Sequence, residues 1–273
     1  MKLRSLILML LGSCLMPLLA GAQSVSMSPS RLYYKVDVGA YKTQTVTVTN
    51  NSSVRQAFNV SFGDFEPAGY QGKSKFMQAG ESEHSCSEWL TATPSFFELD
   101  PGQSQKVQVL LQVPTSPEAN KVKWAAMRVK LTKERKSNDI ADKNAIGMGV
   151  TETFQFVVHI FQTPPTVTTK SADIIDFRES TTAQDTSRVY SMRVKNTGEA
   201  ILDCASYIEL TNLSTGEELR LKPLAYTVLP GSEREVRFNI PRNQPKGRYS
   251  LMGVVDYGNR DNVQAAEMEI TIE

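Results

Sequence analysis

The sequence predicts an all-β chain made of two antiparallel sandwiches, and three observations carry that prediction. First, one pattern occurs twice. Thr45-Val46-Thr47-Val48-Thr49-Asn50-Asn51 is followed by Leu99-Asp100-Pro101-Gly102 and then by Lys106-Val107-Gln108-Val109-Leu110-Leu111-Gln112-Val113-Pro114. Later, Tyr190-Ser191-Met192-Arg193-Val194-Lys195-Asn196-Thr197-Gly198 is followed by Val228-Leu229-Pro230-Gly231 and then by Arg234-Glu235-Val236-Arg237-Phe238-Asn239-Ile240-Pro241. Each copy has an alternating strand ending in Asn, a Pro-Gly turn, and a second alternating strand ending in Pro. Second, apolar residues recur with period two over most of the chain, the spacing of strands with one buried face. Third, no stretch has the spacing of an amphipathic helix.

The elements follow in order. Met1-Lys2-Leu3-Arg4 is a basic start, residues 6–11 are apolar, and Ala20-Gly21-Ala22 is a small-residue cleavage site. Residues 1–22 therefore read as a secretory signal peptide, placing the mature chain outside the cytoplasm. A lipobox at Leu11-Gly12-Ser13-Cys14, with Cys14 lipidated, is the competing reading. Residues 25–34 form a strand with Pro29 near its edge, and 43–49 and 56–65 are further strands. Alternation stops over residues 66–88, rich in Gly, Ser, Gln and charge, which read as a long functional or disordered loop. Val107, Val109, Leu111 and Val113 make the clearest period-two run, and Met127, Val129 and Leu131 mark the next strand. A second polar loop spans 133–144. The strand over 147–161 follows, apolar on both faces toward its end.

Pro164-Pro165 breaks the chain and sets the boundary between a first domain, 23–165, and a second, 166–273. The second has strands near 172–178, 190–195, 204–211, 226–229, 235–240, 249–257 and 266–272. Seven short strands separated by turns suit an immunoglobulin-like sandwich.

Composition excludes several functions. Thirty basic residues against 29 acidic leave a net charge of +1, which gives no electrostatic footprint for nucleic acid. After signal removal only Cys86 and Cys204 remain, one in each domain, and they read as two separate thiols. The chain has two histidines. His84 near Cys86 matches neither a zinc site nor a nucleophile signature. Gly69-Tyr70-Gln71-Gly72-Lys73-Ser74 ends like a phosphate loop, but its earlier glycine is misplaced and no helix follows. Trp89 and Trp124 read as core aromatics. We expect no enzyme activity, no cofactor and no bound metal.

The first domain resembles the periplasmic pilus-assembly chaperones, the PapD-like family. The resemblance rests on Ser28-Pro29-Ser30-Arg31-Leu32-Tyr33-Tyr34, on Val46-Thr47-Val48-Thr49-Asn50, on Thr93-Pro94-Ser95-Phe96-Phe97-Glu98-Leu99-Asp100-Pro101-Gly102, on Gln105-Lys106-Val107, and on Val157-Val158-His159-Ile160-Phe161-Gln162-Thr163-Pro164. It implies two tandem immunoglobulin-like (PapD-like) β-sandwich domains that hold a subunit's C-terminal carboxylate in a basic cleft. It also implies that the last strand of the first domain lends apolar side chains to the subunit's incomplete sheet. Arg31 falls at the family's first-strand anchoring arginine, and His159 stands where the family keeps a lysine. Val150, Phe154, Phe156 and Val158 lie on the donated strand, with Glu152 interrupting the series. The second domain is more similar to sandwich domains of Gram-positive surface proteins, through Leu229-Pro230-Gly231-Ser232 and Lys246-Gly247-Arg248-Tyr249-Ser250-Leu251.

The expectation is a periplasmic or secreted chaperone or assembly factor for pilus-like or other surface subunits. Its partner-binding residues would be Arg31, Val150, Phe154, Phe156, Val158 and His159. The alternative is a non-enzymatic structural adaptor in a bacterial cell-envelope or surface complex, associated with membrane or cell wall through a partner. A hydrolase using the 66–88 loop is a third reading.

Overall fold

The computed structural model describes residues 25–132, 154–259 and 261–273. The signal segment, Cys14, Val150, Glu152 and the 133–144 stretch lie outside them. Ten strands form the first sandwich: β1 (Val25–Ser28), β2 (Arg31–Tyr34), β3 (Tyr41–Asn50), β4 (Gln56–Ala68), β5 (Lys73–Met77), β6 (Leu90–Thr93), β7 (Phe96–Leu99), β8 (Ser104–Gln112), β9 (Lys123–Thr132) and β10 (Gln155–Gln162). One sheet has the order β1-β3-β8-β6. The other has the order β2-β10-β9-β4-β5, with β7 also on β4. Their facing side chains make one core. Val46, Val48, Val107, Val109 and Leu111 come from the first sheet, and Phe58, Val60, Met127, Val129, Val158 and Ile160 from the second. This is the alternation read from sequence, with threonines of β3 on the other face.

Eight strands form the second sandwich: β11 (Ala172–Glu179), β12 (Arg188–Asn196), β13 (Leu202–Asn212), β14 (Glu218–Arg220), β15 (Leu224–Val228), β16 (Glu233–Ile240), β17 (Gly247–Asp256) and β18 (Gln264–Ile272). The sheets are β11-β12-β16 and β14-β13-β17-β18, with β15 on β13. Tyr190, Met192, Val194, Val236 and Phe238 pack against Ile208, Leu210, Leu251 and Val255. The seven expected strands are present. The eighth, β14, has only three residues and is too short to show a period.

The repeated Asn and Pro-Gly pattern has a structural cause. Asn50 and Asn196 are both fully buried at the ends of β3 and β12. Asn50 Nδ2 donates to the carbonyls of Leu99 (2.9 Å) and Val54 (2.8 Å). Asn196 Nδ2 donates to those of Val228 (3.0 Å) and Ala200 (2.8 Å). Each Asn carbonyl in turn accepts from the turn glycine, Gly102 at 2.8 Å and Gly231 at 3.1 Å. The amide therefore gives a buried donor to the carbonyl that leads into each Pro-Gly turn, Leu99 and Val228.

Two expectations are corrected. Residues 25–34 are two strands: β1 pairs antiparallel with β3, and β2 pairs parallel with β10 in the opposite sheet. Pro29, which has no N–H for a ladder, stands at the break. Residues 66–88 are no open loop. β4 continues to Ala68, turns through Gly69 and Gly72, both at positive φ, and returns as β5. Beyond β5 the backbone is tied to the buried Asp64, whose carboxylate accepts from Ser82 N–H (3.0 Å) and Ser85 Oγ (2.6 Å). Cys86 and Cys204 are both buried free thiols, as the sequence predicts.

A third apolar cluster joins the two sandwiches. Phe65, Val122, Trp124, Ala126 and Phe161 of the first enclose Leu229 of the second, with Val167 and Ile201 at its margin. Leu229 lies directly before the Pro230-Gly231 turn, so the Asn196 network also positions this contact. Among the described residues no helix is long and apolar enough to cross a membrane.

Candidate functional site: the cleft between the sandwiches

Beside that cluster is a cleft of about 200 Å³, lined from both sandwiches. Parallel pairing of β2 with β10 sets Arg31 opposite His159 and Tyr33 opposite Phe161. These four side chains share one sheet face. Tyr33 stacks on Phe161, with centroids 5.2 Å apart, and Phe65 meets His159 edge-on at 4.7 Å. Ser74 Oγ, from the β4–β5 hairpin, lies 3.4 Å from His159 Nε2. Across the cleft Arg31 Nη1 donates to Thr227 Oγ1 at 3.0 Å, and Thr227 Oγ1 donates to Asp203 Oδ1 at 3.1 Å. Arg31 thus spans the gap and lines the cleft.

Burial among these rings, and secondarily the Arg31 charge, hold the His159 imidazole below its ordinary range. It is neutral at pH 7 and contributes no cation there. The cations are Arg31, Lys73 on the hairpin and Arg234 at the start of β16, all lining the cleft.

The predicted partner-binding residues divide between two faces of β10. Arg31 and His159 meet on the cleft face. Phe154, Phe156 and Val158 have the opposite parity, and Phe156 and Val158 pack into the first core. Val158 is fully buried there, Phe156 is half-buried against it, and Phe154 is 54% exposed. Val158 therefore has no free surface in this state, whereas the two phenylalanines do. β10 pairs with β9 along its whole length, but with β2 only over residues 159–162. Among the described residues, no strand covers the other edge of β10 over residues 155–158.

Sequence reasoning missed Lys73 and Arg234. Lys73 falls in the segment weighed as a phosphate loop, which is the tip of the β4–β5 hairpin. That tip contacts the second sandwich: Tyr70 C=O accepts from Glu235 N–H at 2.7 Å, and the Arg193 guanidinium lies 5.1 Å from the Tyr70 ring centroid. Arg234 lies in an alternating strand, where it looks like any surface arginine.

The His84 and Cys86 pair does not form a nucleophile. His84 stacks on Trp124 with centroids 4.1 Å apart, and its Nδ1 lies 3.2 Å from Glu66 Oε1. Cys86 is 1% exposed, and burial, then the Asp64 charge, push its thiol far up, so it stays protonated. Among the described residues no group of three His, Cys, Asp or Glu side chains could hold a metal ion.

No protein-family model matches the sequence, and no curated protein sequence matches it. Among solved structures the chain is similar to fimbrial chaperones. The Escherichia coli chaperone DraB is 17% identical, with a TM-score of 0.43 over 90% of this chain and 98% of that one. A chain of the CsuC–CsuE chaperone and tip-subunit complex of Acinetobacter baumannii is 12% identical, with a TM-score of 0.42 over 90% and 98%. A chain of the Salmonella enterica SafA pilin and SafB chaperone complex is 12% identical, with a TM-score of 0.43 over 90% and 96%.

Proposed function

We propose that this protein is a periplasmic chaperone or assembly factor for bacterial surface subunits, with residues 23–165 and 166–273 as its two domains. It binds a client by edge-strand addition along β10 and holds the client's terminal carboxylate at Arg31. One observation carries the reading: the edge of β10 over residues 155–158, which no strand among the described residues covers, leads to a cleft lined by Arg31. A strand added there gains backbone hydrogen bonds and covers Phe154 and Phe156. Its end enters a site where a guanidinium fork can bind both oxygens of a carboxylate. The protein itself performs no reaction.

The test is capture from envelope extract with wild type, Arg31→Ala and Phe154→Asp, each checked for native circular dichroism. The expected result is a surface subunit that co-purifies with wild type and is lost from both variants. Partners retained by both variants would overturn the site and favour a permanent adaptor using another surface.

A further inference from the structure

We propose that Arg234, brought in by the second sandwich, is the second guanidinium of the carboxylate site and fills the role that the family resemblance gives to the position of His159. This rests on the carboxylate reading of the cleft and names the pair of groups that bind the ligand.

Four observations converge on Arg234. It lines the same cleft as Arg31. Among the described residues neither arginine has a carboxylate within ion-pair distance, whereas the neighbouring acids are engaged. Glu233, also on the cleft wall, lies 3.7 Å from Arg193, and Glu235 lies 3.1 Å from Arg237. The Arg234 Nε is buried without an acceptor. Finally, its guanidinium lies directly over Gly72, where any side-chain carbon would overlap it, and Gly72 has a φ of +76°. The hairpin tip is therefore shaped to admit this side chain, and the Tyr70–Glu235 backbone bond fixes it to the strand that carries Arg234.

Two guanidiniums in one half-buried cleft repel each other, and a buried donor without an acceptor is costly. Burial pulls the Arg234 guanidinium below its ordinary range; Tyr226 acts the other way, and the Arg31 charge adds a smaller pull downward. One bound carboxylate relieves the repulsion: its two oxygens accept from the two guanidiniums, and its charge screens the pair. His159 is neutral at pH 7 and cannot do this. Because Arg31 belongs to one sandwich and Arg234 to the other, the site is complete only when the two are docked.

The experiment follows the Nε–H signals of Arg31 and Arg234 by nitrogen-15 NMR on the folded chain. The probes are N-acetylvaline, its amide and inorganic phosphate. N-acetylvaline should shift both signals along a single isotherm, and the amide should shift neither. Arg234→Gln should weaken N-acetylvaline by about tenfold or more, and Arg234→Lys by less. His159→Gln should leave affinity within about twofold, because it removes no charge at pH 7. Gly72→Ala should displace Arg234 and weaken binding while the Arg31 signal remains. If Arg31→Gln abolishes binding and Arg234→Gln does not, this assignment is overturned and the carboxylate reading stands. If phosphate binds and N-acetylvaline does not, or if no probe moves either signal, both are overturned.

Discussion

Replacing Leu229 by alanine tests whether the two sandwiches support each other. Leu229 is 7% exposed and is enclosed by Phe65, Trp124 and Phe161 across the junction. Truncation removes three carbon groups from that contact, or roughly 2.4 kcal/mol at about 0.8 kcal/mol each. The cavity left behind adds to this, but the two bodies can settle against each other, so the total belongs at the lower end of the core range, about 2–3 kcal/mol. Both tryptophans, Trp89 and Trp124, pack in the first sandwich or at its junction face, so urea unfolding followed by tryptophan fluorescence reports on that half. With a denaturant slope of about 2 kcal/mol per molar, the fluorescence midpoint should fall by about 1 M. Far-UV circular dichroism, which sees both halves, should separate from the fluorescence curve as coupling is lost. Leu213→Ala provides the control. It is the same chemical change in the second sandwich at a side chain 48% exposed, and it should cost under about 0.5 kcal/mol. A Leu229→Ala midpoint unmoved from wild type would refute the idea that this cluster couples the halves.

Two further outcomes follow from the same structure. Asn50→Ala and Asn196→Ala should each cost about 1–3 kcal/mol in urea unfolding, because each removes the buried amide donor to a carbonyl on a distant strand, Leu99 and Val228; a loss below about 0.5 kcal/mol in either would break the proposed equivalence of the two networks. The imidazole of His159 is held below its ordinary range, so the unfolded chain takes up that proton first as pH falls. Its stabilising contribution is therefore complete above about pH 6.5 and is lost as pH falls from there toward the folded value; His159→Gln should flatten that part of the stability profile, and an unchanged profile would contradict the burial argument.

Much of the fold is legible because its signals are local. The threonine–valine alternation of residues 45–49 specifies one wet and one dry face wherever the strand pairs. The Asn and Pro-Gly repeat reads correctly as two copies of one unit, although its cause appears only when Asn50 and Asn196 are seen bonding carbonyls on a distant strand. The β4–β5 hairpin is not legible. Glu66, Lys73, Ser74 and Lys75 put polar side chains on both faces, because one face meets solvent and the other the cleft, so no period remains to be read. The break between β1 and β2 is hidden for another reason: two runs of similar character pair in opposite sheets, and only three-dimensional pairing tells them apart.

The candidate site is less legible than the fold because it depends on where the two repeats differ. Counted from the Pro-Gly turn, Gln105 in the first copy stands where Arg234 stands in the second. Gln105 uses its amide on its own neighbour, donating to Lys106 C=O at 2.7 Å in an exposed position. Arg234 at the equivalent place lies over Gly72 and lines the cleft with Arg31. The repeat preserves the core positions on either side, Val107 matching Val236 and Leu99 matching Val228, because both sandwiches need the same packing. It leaves the intervening surface position free to change. Neutral polar residues of the first copy become cations in the second at Arg193, Lys195, Arg234 and Arg237. Arg193 and Arg237 are already paired with Glu233 and Glu235, and of the four only Arg234 lines the cleft. Docking through Leu229 makes the difference: it turns one of several exchangeable surface positions into a cleft wall, where an arginine has a chemical role that a glutamine in solvent does not.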